Sequence, residues 1–284
     1  VGHSVKGSTR WLGFSFINIQ PSEFVKIAMV IYLAKVFSAE HDGNYVIQLL
    51  IPMIIIATMF VLIMMQPDFG TAMDLLFVSV CILFVSGFPA IYLMVLAIVS
   101  IPMFYLLIYQ VGYRKSRILA FLNPYENRFG IGYHIIQSFI AFKKGGLIGV
   151  GLGYGTQKVN RLPEPHTDFI FAVLAEEAGF FGTFFLLSLF LLFLWRGIKI
   201  SLHAPDSFGK LLAIGLSLLI VVQAFINIGV VTGSLPTTGI PLPFVSYGGS
   251  SLLSCMIAGG ILLNISRYRD AVNYDFSFTE EVQQ

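Results

Sequence analysis

Long apolar runs, each close to the roughly 20 residues that a bilayer requires, alternate with short polar segments along most of this chain. One run carries Glu23 and Lys26, which are three positions apart and therefore share one face of a helix, where they can pair. Because charged groups are costly in lipid, we expect that helix to face protein or a cavity. The pattern predicts seven membrane-spanning helices, at about 21–38, 46–65, 70–88, 89–111, 169–195, 209–231 and 250–266.

Composition supports an integral membrane protein of the all-α, polytopic class. The chain is 56% hydrophobic and 11% charged, whereas soluble domains carry roughly 25% charged residues. Its two cysteines, Cys81 and Cys255, lie within apolar runs, so the sequence predicts neither a disulfide framework nor a metal site. The first residue is Val1, and we expect a fragment or a processed product from which earlier helices are missing.

Residues 112–167 form the one long connection between predicted helices. They contain eight Lys and Arg and two acids, although the net charge of the whole chain is only +2. Within them, residues 133–142 have the pattern of a short amphipathic helix, which can lie in a membrane interface. Six glycines between Gly145 and Gly155 then predict a pliable segment.

Short loops set the orientation, because long loops cross a membrane regardless of their charge. The segments at 196–210 and 267–269 are basic and are therefore predicted to be cytoplasmic. The tail over 267–284 is polar, and we expect it to be cytoplasmic and mobile. Alternation along the chain then places four polar segments outside the cell membrane: 1–20, 66–70, 112–167 and 233–249.

The stretch at 162–182 combines a polar entry with an apolar helix. Pro163 and Pro165 favour an extended approach, after which Thr167 or Asp168 can cap the helix. Asp168 would then stand where the membrane meets water. Glu176 and Glu177 would lie about two turns further in, where ionisable groups are usually functional or paired. We expect these two glutamates to be buried, hydrogen-bonded acids.

The predicted outer face gathers the segments rich in proline, glycine and aspartate together with the basic connection. An excess of cations there favours an anionic headgroup such as a lipid phosphate or pyrophosphate. An acid beside such a site could act as a general base and deprotonate an alcohol that attacks an activated sugar. Two simpler interpretations remain open: the basic connection binds anionic lipids, and Asp168 only caps its helix.

Five segments resemble the signature motifs of the SEDS family, the shape, elongation, division and sporulation proteins. The resemblance covers residues 6 to 269, and members of the family usually have ten spans with both termini inside the cell. It therefore implies a polytopic bundle with seven spans visible of ten, built as a single transmembrane domain over 1–284. Gln157 and Lys158 resemble the FtsW and SpoVE branch more than RodA. The motifs are 20–26 (QPSEFVK), 66–71 (QPDFGT), 132–138 (GYHIIQS), 166–172 (HTDFIFA) and 241–250 (PLPFVSYGGS).

The resemblance implies a peptidoglycan glycosyltransferase that polymerises lipid II outside the cytoplasmic membrane. Asp168 matches the family's essential aspartate and would act as the catalytic base in an inverting transfer. It would take the proton from the 4-hydroxyl of the acceptor GlcNAc, whose oxygen attacks C1 of the donor MurNAc. Undecaprenyl pyrophosphate would then leave, with basic residues balancing its charge.

A wider set of residues is expected to bind substrate. For some of them a structural interpretation stays equally open: an ion pair for Glu23 and Lys26, a turn for Asp68, and interfacial anchoring for Arg10 and Trp11. The set is Arg10, Trp11, Glu23, Lys26, Asp68, Arg114, Lys143, Lys144, Lys158, His166 and Ser246.

The resemblance also implies partners and a location. We expect lipid II, membrane lipids and a class B penicillin-binding protein transpeptidase as partners, and no nucleic acid. The location would be the bacterial cytoplasmic (inner) membrane, with the active site on the extracytoplasmic face. It is open whether a divalent cation, Mg²⁺ or Mn²⁺, assists. Two other functions compete: a flippase that moves the lipid-linked precursor, and a scaffold without catalysis in a division or elongation complex.

Overall fold

A computed structural model of the chain describes residues 2–5, 8–14, 17–39, 45–95, 98, 112–126, 128–158 and 162–282. Three short strands open the chain: β1 (Gly2–Val5), β2 (Ser8–Phe14) and β3 (Ile17–Ile19). Among the residues that the structure describes, eight helices follow, and residues 90–95 are helical as well. The helices are α1 (Pro21–Ser38), α2 (Tyr45–Met65), α3 (Phe69–Val85), α4 (Gly112–Leu122), α5 (Ile131–Gly145), α6 (Ile170–Leu202), α7 (Ser207–Val231) and α8 (Gly249–Val282).

Most of the predicted membrane segments are helices in the structure. Three of them are long and apolar enough to cross a bilayer: Ile170–Leu202, Ser207–Val231 and Gly249–Tyr268. The predicted span at 89–111 is helical at 90–95 and 98, and its other residues, apart from Pro89, lie outside the described part of the chain. The mostly helical membrane fold is thus confirmed, whereas the count of seven spans stays a prediction.

Two features differ from the sequence prediction. The first residues pair as an antiparallel sheet in the order β1-β2-β3, with His3 opposite Trp11 and Leu12 opposite Ile19. Such short strands lack a periodic pattern long enough to be recognised in advance. The last helix, α8, also continues to Val282, beyond the predicted end of the last span at residue 266, and the mobility of the tail stays a prediction.

The chain divides into two compact units. The first comprises residues 1–88, 191–222 and 249–284, and the second comprises residues 89–190 and 223–248. In the first unit α1 packs against α2, α3 and α8, and its core contains fully buried Leu33, Ala72, Ile82 and Leu216. The single transmembrane domain over 1–284 therefore stays a prediction.

Three ionisable side chains meet in the core of the first unit. The Lys26 ammonium lies 3.2 Å from Glu23 Oε2 and 3.4 Å from Asp74 Oδ2, and all three side chains are at most 2% exposed. Ser254 Oγ on α8 donates to Glu23 Oε2 at 3.1 Å. The predicted pairing of Glu23 with Lys26 is therefore present, and it is extended by an acid from α3. The ion cluster joins α1 to α3, and the hydrogen bond from Ser254 joins it to α8.

In the second unit α6 is interrupted at Gly179, whose backbone has φ 66° and ψ −162°. The polar groups freed by this break bond to the glycine-rich connection after α5. The amide of Phe180 donates to Gly146 O at 2.9 Å, and the amide of Val150 donates to Glu176 O at 3.0 Å. Irregular backbone in a membrane helix is tolerated where protein satisfies it in this way.

The glycines of this connection allow close approach rather than making a pliable segment. A Cβ at Gly145 would lie 1.8 Å from Ala175 O, and one at Gly149 would lie 2.2 Å from Glu177 O. Both distances are far below van der Waals contact. Side chains at these positions would therefore force the connection away from α6.

The charged residues of α6 mark the part of it that can lie in hydrocarbon. Residues 178–195 carry no charge, while Glu177 precedes them and Arg196 follows. At about 1.5 Å per residue they span about 27 Å, close to the roughly 30 Å of a bilayer core. The edge of the hydrocarbon therefore falls near Glu177, and the start of α6 at Ile170 lies about 10.5 Å further out along the helix, with Asp168 just before it.

We predict that Gly179→Ala destabilises the protein by about 2 kcal/mol or more, since this backbone conformation is essentially restricted to glycine. A Cβ there would also lie 2.4 Å from Gly149 N. Thermal unfolding in detergent measures the effect. Gly260→Ala on α8 is the matched control, because a Cβ there meets nothing within 4 Å. Equal stability of both variants would contradict the role of the break.

We also predict that Lys26→Met lowers the free energy of unfolding by about 3–5 kcal/mol, because it leaves two buried carboxylates without their cation. Denaturant or thermal unfolding would measure the loss. Lys35→Met on the same helix provides the control, since Lys35 is exposed at the end of α1. A loss no larger than that of the control would show that the cluster does not hold the helices.

Candidate active site

Asp168 lies at the end of the turn that leads into α6. The turn is closed by the amides of Thr167 and Phe169, which both donate to Glu164 O at 3.3 Å. The hydroxyl of Thr167 donates to Glu164 Oε2 at 3.1 Å. Since α6 begins at Ile170 and Thr167 bonds back to Glu164, Thr167 is not the helix cap that the sequence allowed. Asp168 itself is half-buried.

Three consecutive carbonyl groups before α6 accept hydrogen bonds from α7 or from the segment that follows it. Tyr247 N donates to His166 O at 2.8 Å. Ser246 Oγ donates to Thr167 O, and Asn227 Nδ2 donates to Asp168 O at 2.8 Å. The backbone that carries Asp168 is thus fixed at every residue, which limits where its carboxylate can point.

The facing segment, residues 233–248, is held by side chains as well. Asn227 Nδ2 also donates to Ile240 O at 2.7 Å, and Gln223 Nε2 donates to Pro241 O at 3.0 Å. Because both amides come from α7, one helix anchors this irregular segment, and Asn227 joins it directly to Asp168. The segment therefore keeps a fixed position although it has no regular structure.

Gly239 brings this segment close to the Asp168 carboxylate. Its φ is +81°, and a Cβ on it would lie 3.4 Å from Asp168 Oδ2. The two preceding carbonyls, of Thr237 and Thr238, accept from Arg117 at 2.8 Å and 3.2 Å. Arg117 thus links α4 to the wall beside Asp168.

Aromatic packing joins α5 to the start of α6. The ring of His134 stacks on Phe169 with centroids 5.4 Å apart, and Phe142 contacts Phe171 at 6.1 Å. The predicted amphipathic helix at 133–142 is therefore present as α5, and its apolar side lies against the residues that follow Asp168.

Glu176 and Glu177 hold the glycine-rich connection to α6, as expected of hydrogen-bonded acids. Glu176 is fully buried and accepts from the amide and hydroxyl of Thr156 and from the amide of Gln157, at 2.9–3.0 Å. Glu177 accepts from Gly153 N at 3.0 Å and from Lys158 Nζ at 2.7 Å. The carboxylate oxygens of both residues therefore accept hydrogen bonds from the protein itself.

An apolar groove begins one turn beyond Asp168. It has a volume of about 460 Å³ and continues past the break in α6. Two threonines are the polar side chains among its lining residues. Its apolar lining includes Phe142, Phe171, Phe180, Phe184, Leu187 and Ile228.

The structure places the basic residues expected to bind substrate in different settings. Lys143 is exposed at the end of α5, and Arg114 is half-buried on α4. Lys144 Nζ bonds to Thr156 Oγ1 at 2.6 Å and lies 3.8 Å from Glu176. The ammonium of Lys158 is paired with Glu177. Lys144 and Lys158 thus have structural partners, whereas Lys143 is open to a ligand.

His166 and Ser246 share the unit of Asp168. His166 is exposed and lies two residues before Asp168 in sequence. Ser246 Oγ accepts from Leu242 N at 2.7 Å while it donates to Thr167 O. The Ser246 hydroxyl is therefore engaged in positioning the backbone, although the sequence suggested a contact with substrate.

The other expected substrate residues belong to the first unit. Glu23 and Lys26 are part of the buried ion cluster, and Asp68 caps α3 by accepting from Thr71 N at 3.2 Å. Asp68 is 4% exposed, so its interactions support the turn interpretation. Trp11 is half-buried in β2. Arg10 is in the same strand, and its side chain lies outside the described part of the chain.

Sequence reasoning missed Asn227, Gln223 and Arg117. The only available signal was that two amides occur inside the apolar run of α7, where polar side chains usually have a function or a partner. Within the described residues, no group of three or more His, Cys, Asp or Glu side chains could hold a metal ion. The expectation about Mg²⁺ or Mn²⁺ thus finds no ligand set there.

Comparisons with known proteins agree with the motifs. The family model described as "Cell cycle protein", which covers FtsW, RodA and SpoVE, matches residues 1–271. The chain is 43% identical over 268 residues to the probable peptidoglycan glycosyltransferase FtsW of Geobacter metallireducens, covering 94% of this chain and 72% of that protein. It is 46% identical over 271 residues to stage V sporulation protein E of Bacillus subtilis, covering 94% and 74%.

Solved structures share the fold. A chain in a peptidoglycan synthase complex that coordinates polymerisation and crosslinking matches with a TM-score of 0.76 and 28% identity, over 95% of this chain and 76% of that one. RodA of Thermus thermophilus matches with a TM-score of 0.68 and 29% identity, over 95% and 72%. Higher identity to FtsW and SpoVE than to RodA supports the branch indicated by Gln157 and Lys158. The chain belongs to the FtsW, RodA and SpoVE family of cell cycle proteins.

Proposed function

We propose that the chain is a peptidoglycan glycosyltransferase of cell division that polymerises lipid II, with Asp168 as its catalytic base. The observation that carries the assignment to Asp168 is the immobilised backbone around it, in which three consecutive carbonyls are bonded to Tyr247, Ser246 and Asn227. A general base must be held within hydrogen-bond reach of the proton that it removes. The relative from Geobacter metallireducens is named a probable peptidoglycan glycosyltransferase.

The proposed reaction joins two lipid-linked saccharides. Asp168 accepts the proton of the acceptor's GlcNAc 4-hydroxyl as its oxygen forms a bond to C1 of the donor's MurNAc. The bond from C1 to the pyrophosphate oxygen breaks, and the configuration at C1 inverts. The electron pair of that bond leaves with undecaprenyl pyrophosphate, and the proton on Asp168 returns to solvent.

The position of Asp168 suits a substrate with its sugars above the membrane. Asp168 precedes the start of α6, which lies about 10.5 Å from the hydrocarbon edge near Glu177, and this leaves room for a pyrophosphate between lipid and sugar. Lys143 is exposed on the same unit and is our candidate for balancing the charge of the leaving group. The apolar groove beside Phe171 would take part of the polyprenyl chain.

No step of this reaction is assigned to a metal ion. Among the described residues, no group of three or more carboxylate, histidine or cysteine side chains could hold a metal ion. The charge of the leaving group is instead assigned to basic side chains.

We infer that the chain works beside a class B penicillin-binding protein transpeptidase, which would crosslink the new strands. The support is the fold shared with a chain of a synthase complex that coordinates polymerisation with crosslinking. Its apolar helices embed it in a membrane; we place it in the bacterial cytoplasmic membrane with Asp168 on the extracytoplasmic face. A flippase or a scaffold would share that location but would not form polymer in detergent.

We predict that Asp168→Asn abolishes glycan polymerisation by the purified protein, with a loss of about 10²–10⁴-fold, because the amide cannot accept the proton. The assay measures polymer formed from lipid II in detergent, where no membrane sides exist. Glu126→Gln, at an exposed acid between α4 and α5, is the control and should keep full activity. Retained activity in Asp168→Asn would falsify the assignment of the base. No polymer from the unmodified protein would favour a flippase or a scaffold.

We further predict that Asn227→Leu lowers kcat by about 10²-fold with little change in KM, because a small displacement of a catalytic group is enough for such a loss. Gln223→Leu is the matched control: it lies one turn earlier on α7 and loses a bond to Pro241, not one to Asp168. Steady-state polymerisation kinetics and thermal unfolding of both variants distinguish positioning from stability. Equal kcat values in the two variants would show that Asn227 does not position Asp168 for catalysis.

A further inference from the structure

The glycine-rich connection lies against α6 at the level of the helix break. Its backbone at 146–151 exchanges hydrogen bonds with residues 176–181, including Phe181 N to Leu147 O at 3.2 Å and Gly151 N to Glu177 O at 3.0 Å. These residues of α6 lie at the outer edge of the uncharged stretch 178–195. The connection therefore reaches the edge of the hydrocarbon rather than standing clear of the membrane.

The side chains of this connection are apolar and exposed. Ile148 is 81% exposed, Leu152 is 76% exposed and Tyr154 is 78% exposed. Full burial of a large apolar side chain is worth about 1.5–3 kcal/mol, so three such side chains in water would be a considerable cost. The backbone of the connection is hydrogen-bonded to α6, so these exposed side chains are part of an ordered segment.

The neighbouring surface of α6 is apolar in the same way. Phe181 and Phe185 are each 64% exposed, one turn apart, in the part of the helix that is long and apolar enough to span a membrane. Phe181 directly follows the residue that bonds to Gly146. Exposed apolar side chains therefore occur both on the connection and on the part of α6 to which its backbone bonds, and lipid hydrocarbon would cover both.

Polar groups occur at both ends of the connection. Lys143 and Lys144 precede it, while Thr156 and Lys158 follow it, and Lys158 pairs with Glu177. Lysines beside an apolar insertion can reach the phosphates of lipid headgroups while their stems stay in the apolar region. A tyrosine between the two regions, Tyr154, matches the preference of amphipathic rings for the membrane interface.

We propose that residues 147–154 are a membrane anchor, which inserts Ile148 and Leu152 among the acyl chains beside α6 and places Tyr154 at the membrane interface. The partner is the lipid leaflet on the side of Asp168. The anchor fixes the height of the connection relative to the bilayer and, through Glu176 and Glu177, the height of the first turns of α6. This proposal does not depend on the catalytic role of Asp168.

Site-directed fluorescence tests the anchor. Single cysteines are introduced as Ile148→Cys and Leu152→Cys in a chain whose Cys81 and Cys255 are alanine, and each is labelled with an environment-sensitive nitrobenzoxadiazole probe. Phe185→Cys is the control for a lipid-facing site. Tyr125→Cys, at a 70% exposed position in the turn after α4, is the control for an aqueous site. The variants are reconstituted in phosphatidylglycerol and phosphatidylethanolamine vesicles with or without brominated acyl chains.

We expect probes at 148 and 152 to emit at the shorter wavelength seen at 185 and to lose as much fluorescence in brominated lipid. Iodide quenching equal to that at 125 would overturn the proposal, because the connection would then stand in water. Protection from both quenchers would also overturn it and would indicate that a protein surface covers the segment. Thermal unfolding of each labelled variant shows that the fold is retained, and the two positions report independently.

Discussion

Backbone groups that leave a helix near a membrane must find partners within the protein, and this requirement governs the region around Asp168. Asn227 and Ser246 satisfy carbonyls of the turn before α6, while Glu176 satisfies amides of the connection after α5. Without these partners, the same backbone groups would have to bond to water. The irregular segments therefore stay ordered because buried side chains complete their hydrogen bonds.

This arrangement gives one carboxylate a fixed place above the hydrocarbon. Gly239 permits the facing segment to approach Asp168, and Arg117 holds the preceding carbonyls. A base held in this way would need little rearrangement when a substrate binds, which is how Asp168 would contribute to catalysis in the proposed function. The apolar groove begins one turn beyond Asp168 and would take part of the lipid chain in the proposed function.

The first unit meets a similar requirement with charges instead of backbone groups. Lys26 lies between Glu23 and Asp74, and the three side chains are almost completely buried. Removing Lys26 would leave two buried carboxylates without a cation, so the cluster selects one packing of α1, α3 and α8. It lies in a different compact unit from Asp168 and serves the fold, whatever else it binds.

The sequence alone determined the membrane class, most helix positions, the amphipathic α5 and the family, because hydrophobic periodicity and motif spacing are local properties. It also selected Asp168 and the pairing of Glu23 with Lys26. It did not indicate that Asn227 bonds to Asp168 O, that Lys158 pairs with Glu177, or that Gly179 breaks α6. These contacts join residues up to 59 positions apart. Only the tertiary structure could decide them, because hydrogen bonds depend on distance in space and no local pattern specifies which distant groups will meet.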